Sequence, residues 1–214
     1  MEKSISFIKY LLFSVIGFGI AGLLWGWSLY HFIGKTSYPL TIWAAIFLAV
    51  FGGLGLTIYT RDTKKILKVI GWLLLSSIIG AIIVFLGSYH LPIAALFISS
   101  LFFNGPSPDW VINFIDYLAL PGLGIFFFWI NFLILGSIVG ISFAFSLRIK
   151  LWPMIWRGGV GFALGSFIGP IVGNLIGGAM GSLLATYLIT FFVISVVFGK
   201  FLAWGIYKNL NPQK

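Results

Sequence analysis

Side chains that could coordinate a metal or move a proton are few in this sequence: two histidines and four acids, with no cysteine. His31 closes Ser28-Leu29-Tyr30-His31, and His90 closes Ser88-Tyr89-His90, each at the end of a long apolar run. If those runs are neighbours, the two imidazoles share one depth and form a pair suited to a metal or haem. No carboxylate flanks either residue, however, and Tyr-His at the end of an apolar run is an ordinary interfacial anchor. The anchoring role is expected, with no metal and no cofactor. The acids Glu2, Asp62, Asp109 and Asp116 all fall outside the apolar runs. A carboxylate relay or a voltage sensor needs charge inside the membrane, so an ion-driven pump of ordinary design is not expected. Without cysteine there is no disulfide, thiolate site or sulfur nucleophile. His-Glu-x-x-His, a Gly-x-Ser-x-Gly elbow and a nucleotide loop are also missing. These absences point away from an enzyme, and no catalytic residue is assigned.

The remaining polar groups within apolar runs are Ser76, Ser77, Asn131, Ser137, Ser142, Ser166, Asn174, Thr186, Thr190 and Ser195. Most are expected to make interhelical hydrogen bonds of under ~1 kcal/mol each. Asn131 and Asn174 are the candidate ligand-binding residues, because a buried amide has four hydrogen-bonding positions and is costly unpaired. Pro170 lies one helical turn before Asn174 and removes a backbone donor in mid-run. The pair fits a broken helix lining a polar site, although a kink that serves packing alone is the commoner case.

Around that proline runs the most regular pattern in the chain, a glycine zipper of Gly161, Gly165, Gly169, Gly173, Gly177 and Gly181. Lipid supplies no hydrophobic force between helices, so small residues that let backbones approach are the usual packing device. The expected partner is another helix of the same chain, with self-association or a membrane-protein partner as the alternative. The segment Ile168-Gly169-Pro170-Ile171-Val172-Gly173-Asn174-Leu175-Ile176-Gly177-Gly178 is similar to the Gly-Pro-x-x-Gly-x-x-x-Gly segment of substrate-binding components in energy-coupling-factor vitamin transporters. Those components also resemble this chain in length, span number and cytoplasmic termini. The likeness covers about a dozen residues, and in that family the segment lies nearer the N-terminus. It implies capture of a small neutral or lipophilic solute.

The elements that would position these residues follow from composition. Of 214 residues, 60% are apolar and 8% charged, with a mean hydropathy of +1.12. Soluble domains carry roughly 25% charged residues, so an all-α transmembrane bundle forming a single domain over 1–214 is expected. A helix needs about 20 apolar residues to cross the hydrocarbon. Cutting at charges, prolines and polar clusters gives spans at about 10–33, 39–60, 66–87, 122–147, 158–176 and 182–206. The last two come from the uncharged stretch Gly158–Gly199, which as one helix would reach about 63 Å and must fold back at 177–182.

Lys and Arg give the orientation. Six spans with the N-terminus inside put Lys3, Lys9, Arg61, Lys64, Lys65, Lys68, Arg148, Lys150, Arg157, Lys200, Lys208 and Lys214 on the cytoplasmic side. Only Lys35 of the thirteen basic residues is left outside. Both termini are therefore expected in the cytoplasm of a cell (inner) membrane. The net charge of +9 reads as this topology signal and not as a nucleic-acid surface, since the basic residues are spread between spans.

The outer segment 88–121 is more than a loop. Leu91–Phe103 reaches only about 20 Å as a helix and is re-entrant or interfacial. Ser107-Pro108-Asp109 has the form of a helix start, and Asp109, Asn113 and Asp116 share one face of the interfacial helix that follows. Two functions fit these features. One is a transporter component for a small neutral or lipophilic solute, with the outer segment as cover. The other is a non-catalytic subunit, scaffold or assembly factor of a larger membrane complex.

Overall fold

A computed structural model describes residues 7–32, 46–58, 63–80, 82 and 121–210, without the side chains of Phe32, residues 121–129 and Asn131. Most of the outer segment 88–121, with His90, lies outside these residues. The regular structure among the described residues is all helix: α1 (Phe7–Phe32), α2 (46–58), α3 (63–80), α4 (Pro121–Leu147), α5 (Leu151–Ala179) and α6 (Leu183–Leu210). Phe7–His31, Leu151–Ala179 and Leu183–Leu210 are long and apolar enough to cross a membrane, with mean hydropathies of 2.0, 1.6 and 2.0. Phe132–Leu147 and Leu48–Thr57 are shorter apolar helices. Their outward faces carry exposed leucine, isoleucine, phenylalanine and tryptophan, as a surface in contact with lipid does.

Helix α5 begins at Leu151 and not at Gly158, running over Pro153 and Arg157. Pro153 is tolerated because it lies in the first turn, where backbone N–H groups have no intrahelical acceptor. Arg157 is accommodated by lying over the Trp204 ring of α6, 4.8 Å from its centroid, a cation–π contact. The fold-back between α5 and α6 is tight. Gly181 adopts φ 61°, its N–H donates to Gly178 O, and the Ser182 N–H donates to Gly177 O, both at 3.0 Å. This paired closure uses glycine because L side chains are strained at that φ. Ser182 then starts α6, its Oγ accepting from the Ala185 N–H at 3.2 Å, the geometry of an N-cap. The turn between α4 and α5 places a non-glycine residue, Arg148, at φ 54°.

Consecutive helices pack antiparallel, and α1 also packs antiparallel to α6, so the six form a closed ring. Near one end Phe7 meets Tyr207 (ring centroids 4.9 Å). From there Ser14 of α1 reaches Gly199 of α6, and Gly26 lies against Tyr187. α2 joins α1 where Gly17 and Gly55 bring the two backbones together: a Cβ on Gly55 would lie 2.6 Å from Phe13 O and 3.0 Å from Gly17 Cα. Beside this crossing α2 widens into a π-helical stretch, Leu48–Gly52. α3 touches α2 through Leu73 and Ile70 at Gly53, and touches α4 through Leu135 at Gly80. α4 meets α5 where Gly136 faces Gly158 and Gly140 faces Met154, again backbone against backbone.

Candidate functional site

The fold fills its centre with aromatic rings. Phe132 of α4 packs edge-on to Phe162 of α5 (5.0 Å), Phe162 lies against Phe198 of α6 (4.7 Å), and Phe198 packs edge-on to Phe18 of α1 (5.4 Å). Trp25 extends the chain, 6.4 Å from Phe162 and 4.4 Å from Phe191. Phe18, Phe143, Phe198, Met154, Leu202 and Ile206 are fully buried. Offset and edge-to-face contacts of this kind contribute about 0.5–1.5 kcal/mol each beyond burial. The described interior is therefore a packed apolar core joining four helices, with glycines opposite its largest rings. A Cβ on Gly199 or Gly52 would lie 2.6 Å from Phe18 ring carbons.

Buried hydroxyls do little across the helices, contrary to expectation. Ser76, Ser142 and Ser166 donate to carbonyls three or four residues back in their own helices, at 3.0, 3.2 and 2.7 Å. Ser28, Thr57 and Ser146 do the same. A short hydroxyl reaches its own preceding turn without any neighbour. Here the seams are already closed by glycine backbones, so few hydroxyls are needed as bridges. Across helices, Ser14 Oγ donates to Gly199 O (2.8 Å) and Ser137 Oγ donates to Ile155 O (3.3 Å). Ser195 Oγ is buried with no hydrogen-bond partner.

The predicted residues fall as follows. Gly161, Gly165, Gly169, Gly173 and Gly177 face α6, against Phe201, Ile194, Thr190 and Thr186, whereas Gly181 is in the turn with nothing within 4 Å. α5 runs unbroken through Pro170, which is half-buried, and Asn174 is exposed among Ile171, Leu175 and Ile176. Asn131 belongs to α4, and its side chain lies outside the described residues. His31 is exposed at the far end of α1, its Nδ1 2.9 Å from Trp27 O and its ring 4.5 Å from that of Trp27. Among the described residues no three His, Cys, Asp or Glu side chains gather as metal ligands.

One feature was not read from the sequence: the seams of α1 and α4 use Gly22, Gly26, Gly136 and Gly140, and the signal was present as two Gly-x-x-x-Gly pairs. The basic residues are gathered as their grouping between apolar runs suggests. All nine basic residues among the described ones, Lys9, Lys64, Lys65, Lys68, Arg148, Lys150, Arg157, Lys200 and Lys208, lie toward one end of the ring. Contacts between Phe7 and Tyr207, Arg157 and Trp204, and Trp72 and Phe145 tie four separate sequence regions together there. No acidic residue is among the described ones.

Compared with protein-family models, curated proteins and solved structures, the chain matches none.

Proposed function

We propose that this all-helical protein crosses a cell membrane six times with both termini in the cytoplasm, and acts as a non-catalytic subunit or assembly factor of a larger membrane complex. The observation that carries the reading is the aromatic chain Phe132–Phe162–Phe198–Phe18, which fills the ring where a conduit would run. The glycine seams support it, because backbones in direct contact leave little freedom for the rocking of half-bundles used in alternating access. The one-sided collection of basic residues supports the orientation. In this reading the product of the fold is a rigid, lipid-embedded surface, and no residue has a catalytic role.

The test is solubilisation of the tagged protein from its native membrane in a mild detergent, followed by native electrophoresis and mass measurement. The expected result is a stoichiometric complex well above the 23.6 kDa chain, whose partner loses abundance when this chain is deleted. A monodisperse monomer, with every membrane protein unchanged in abundance on deletion, contradicts the proposal. A second reading, a transporter component for a small neutral or lipophilic solute, draws on Pro170 and the exposed Asn174 beyond the aromatic chain on α5. It requires saturable solute binding by the purified chain that Asn174→Ala weakens.

A further inference from the structure

Arg157 is a partly buried cation at the basic end of the α5–α6 seam. Its stem crosses α6 at Gly205, where an added Cβ would lie 3.0 Å from Arg157 Cδ. The guanidinium then lies over Trp204, 4.8 Å from the ring centroid. An indole face attracts the charge but offers no lone pair. The guanidinium N–H donors therefore have no oxygen acceptor and no ion-pair partner among the described residues. Trp204 is itself 45% exposed. Lys200 and Lys208 stand four residues to either side of it, both exposed and both without an ion-pair partner among the described residues. The three form one stripe on α6 in steps of about 6 Å. On α5, Leu164 and Ile171 follow Arg157 at intervals of seven residues, both exposed, about 10 and 21 Å farther along the helix.

A partly buried guanidinium with unused donors suits an acceptor that presents two oxygens, and phosphate has that fork. At a membrane boundary the phosphate of a lipid faces cations, an indole sits at headgroup level, and an acyl chain lies against apolar residues. We infer that the basic end of the α5–α6 seam binds one anionic glycerophospholipid, with its phosphate on Arg157 beside Trp204 and an acyl chain along Leu164 and Ile171. Lys200 and Lys208 select an anionic over a zwitterionic headgroup, because two further cations without carboxylate partners favour a ligand of net negative charge. The apolar track beyond Arg157 selects a lipid over a soluble phosphate ester. The assignment rests on the protein crossing a membrane, as proposed, and is independent of its role as a subunit.

The full-length protein, equilibrated in detergent with equal amounts of phosphatidylglycerol and phosphatidylcholine and examined by native mass spectrometry, tests the assignment. The wild type should retain phosphatidylglycerol in preference to phosphatidylcholine. Lys208→Gln should lower that preference about fivefold, the effect of one basic residue near an anionic surface, and Arg157→Gln should lower it further. Arg157→Lys, which keeps the charge and loses the planar fork, should recover only part of that loss. Lys68→Gln, which removes an exposed lysine from α3, should leave the preference unchanged. Excess glycerol 3-phosphate should not displace the lipid. Circular dichroism melting of each variant separates lost binding from misfolding, and the exposed position of Lys208 supplies a test that does not disturb the Arg157 contact. Equal loss of preference in the Lys208 and Lys68 variants would reduce the effect to general surface charge and overturn the site. Undiminished preference in a folded Arg157→Gln variant would overturn it as well. Displacement by glycerol 3-phosphate would make the site one for soluble phosphate esters. Equal retention of the two lipids by the wild type would leave Arg157 to a carboxylate of a partner protein, and either result refutes the lipid assignment.

Discussion

Replacing Gly165 by alanine sets the gain in helix propensity against the closeness of the α5–α6 seam. The added Cβ would lie 2.6 Å from Ile194 O and 3.1 Å from Ile194 Cα. Both are backbone atoms, so no rotamer change relieves the contact, and the helices must separate by about 0.8 Å to reach ordinary contact distance. Overpacking of this kind costs about 1–3 kcal/mol, while exchanging glycine for alanine in a helix returns roughly 0.5–1 kcal/mol. The net expectation is a destabilisation of about 1–2 kcal/mol. Gly178, on the same helix, is the control: it is exposed and nothing lies within 4 Å of its added Cβ. Gly178→Ala should therefore stabilise by up to about 1 kcal/mol. The two variants would then differ by roughly 2 kcal/mol, about a thirtyfold difference in the folded-to-unfolded ratio. Titration of dodecyl sulfate into mixed micelles, followed by circular dichroism, measures this difference directly. Equal stability of the two variants would refute the claim that the seam is held at backbone contact.

Two further substitutions test neighbouring features. Ser14→Ala removes the 2.8 Å bond to Gly199 O and should cost about 0.5–1 kcal/mol, whereas Ser195→Ala, removing a buried hydroxyl without a partner, should be neutral or stabilising; the same unfolding assay ranks the pair. Arg148→Gly relieves a left-handed backbone at φ 54° and should stabilise the α4–α5 turn by about 1 kcal/mol, read as a higher unfolding midpoint.

The helices and the glycine spacing of α5 were legible because both are local. A run of apolar residues and a four-residue repeat are properties of one segment, and need no knowledge of its neighbour. The grouping of lysine and arginine between apolar runs was legible for the same reason. What the sequence did not disclose depends on pairs. Gly17 matters because Gly55 lies opposite, and Gly136 because Gly158 does, and neither member announces the other. That α5 extends back past the expected span start at 158 was not legible, because Arg157 reads as a boundary until Trp204 is seen beneath it. Serines read as bridges were satisfied within their own turns, an outcome fixed by how closely the backbones meet. Phe162 and Phe198 were two among 23 phenylalanines until the ring brought them together.

The contact between α1 and α6 has a consequence in time. Ser14 and Gly199 are 185 residues apart, so at 5–20 residues per second the second strip of the seam emerges about 10–40 s after the first. Throughout that interval Gly19, Gly22 and Gly26 present a smooth strip with no helix of this chain to fill it. Any passing helix with a matching small-residue face competes for it. Synthesis of this protein therefore includes a period in which its first helix needs either a placeholder or solitude, and faster translation of the later helices would shorten that exposure.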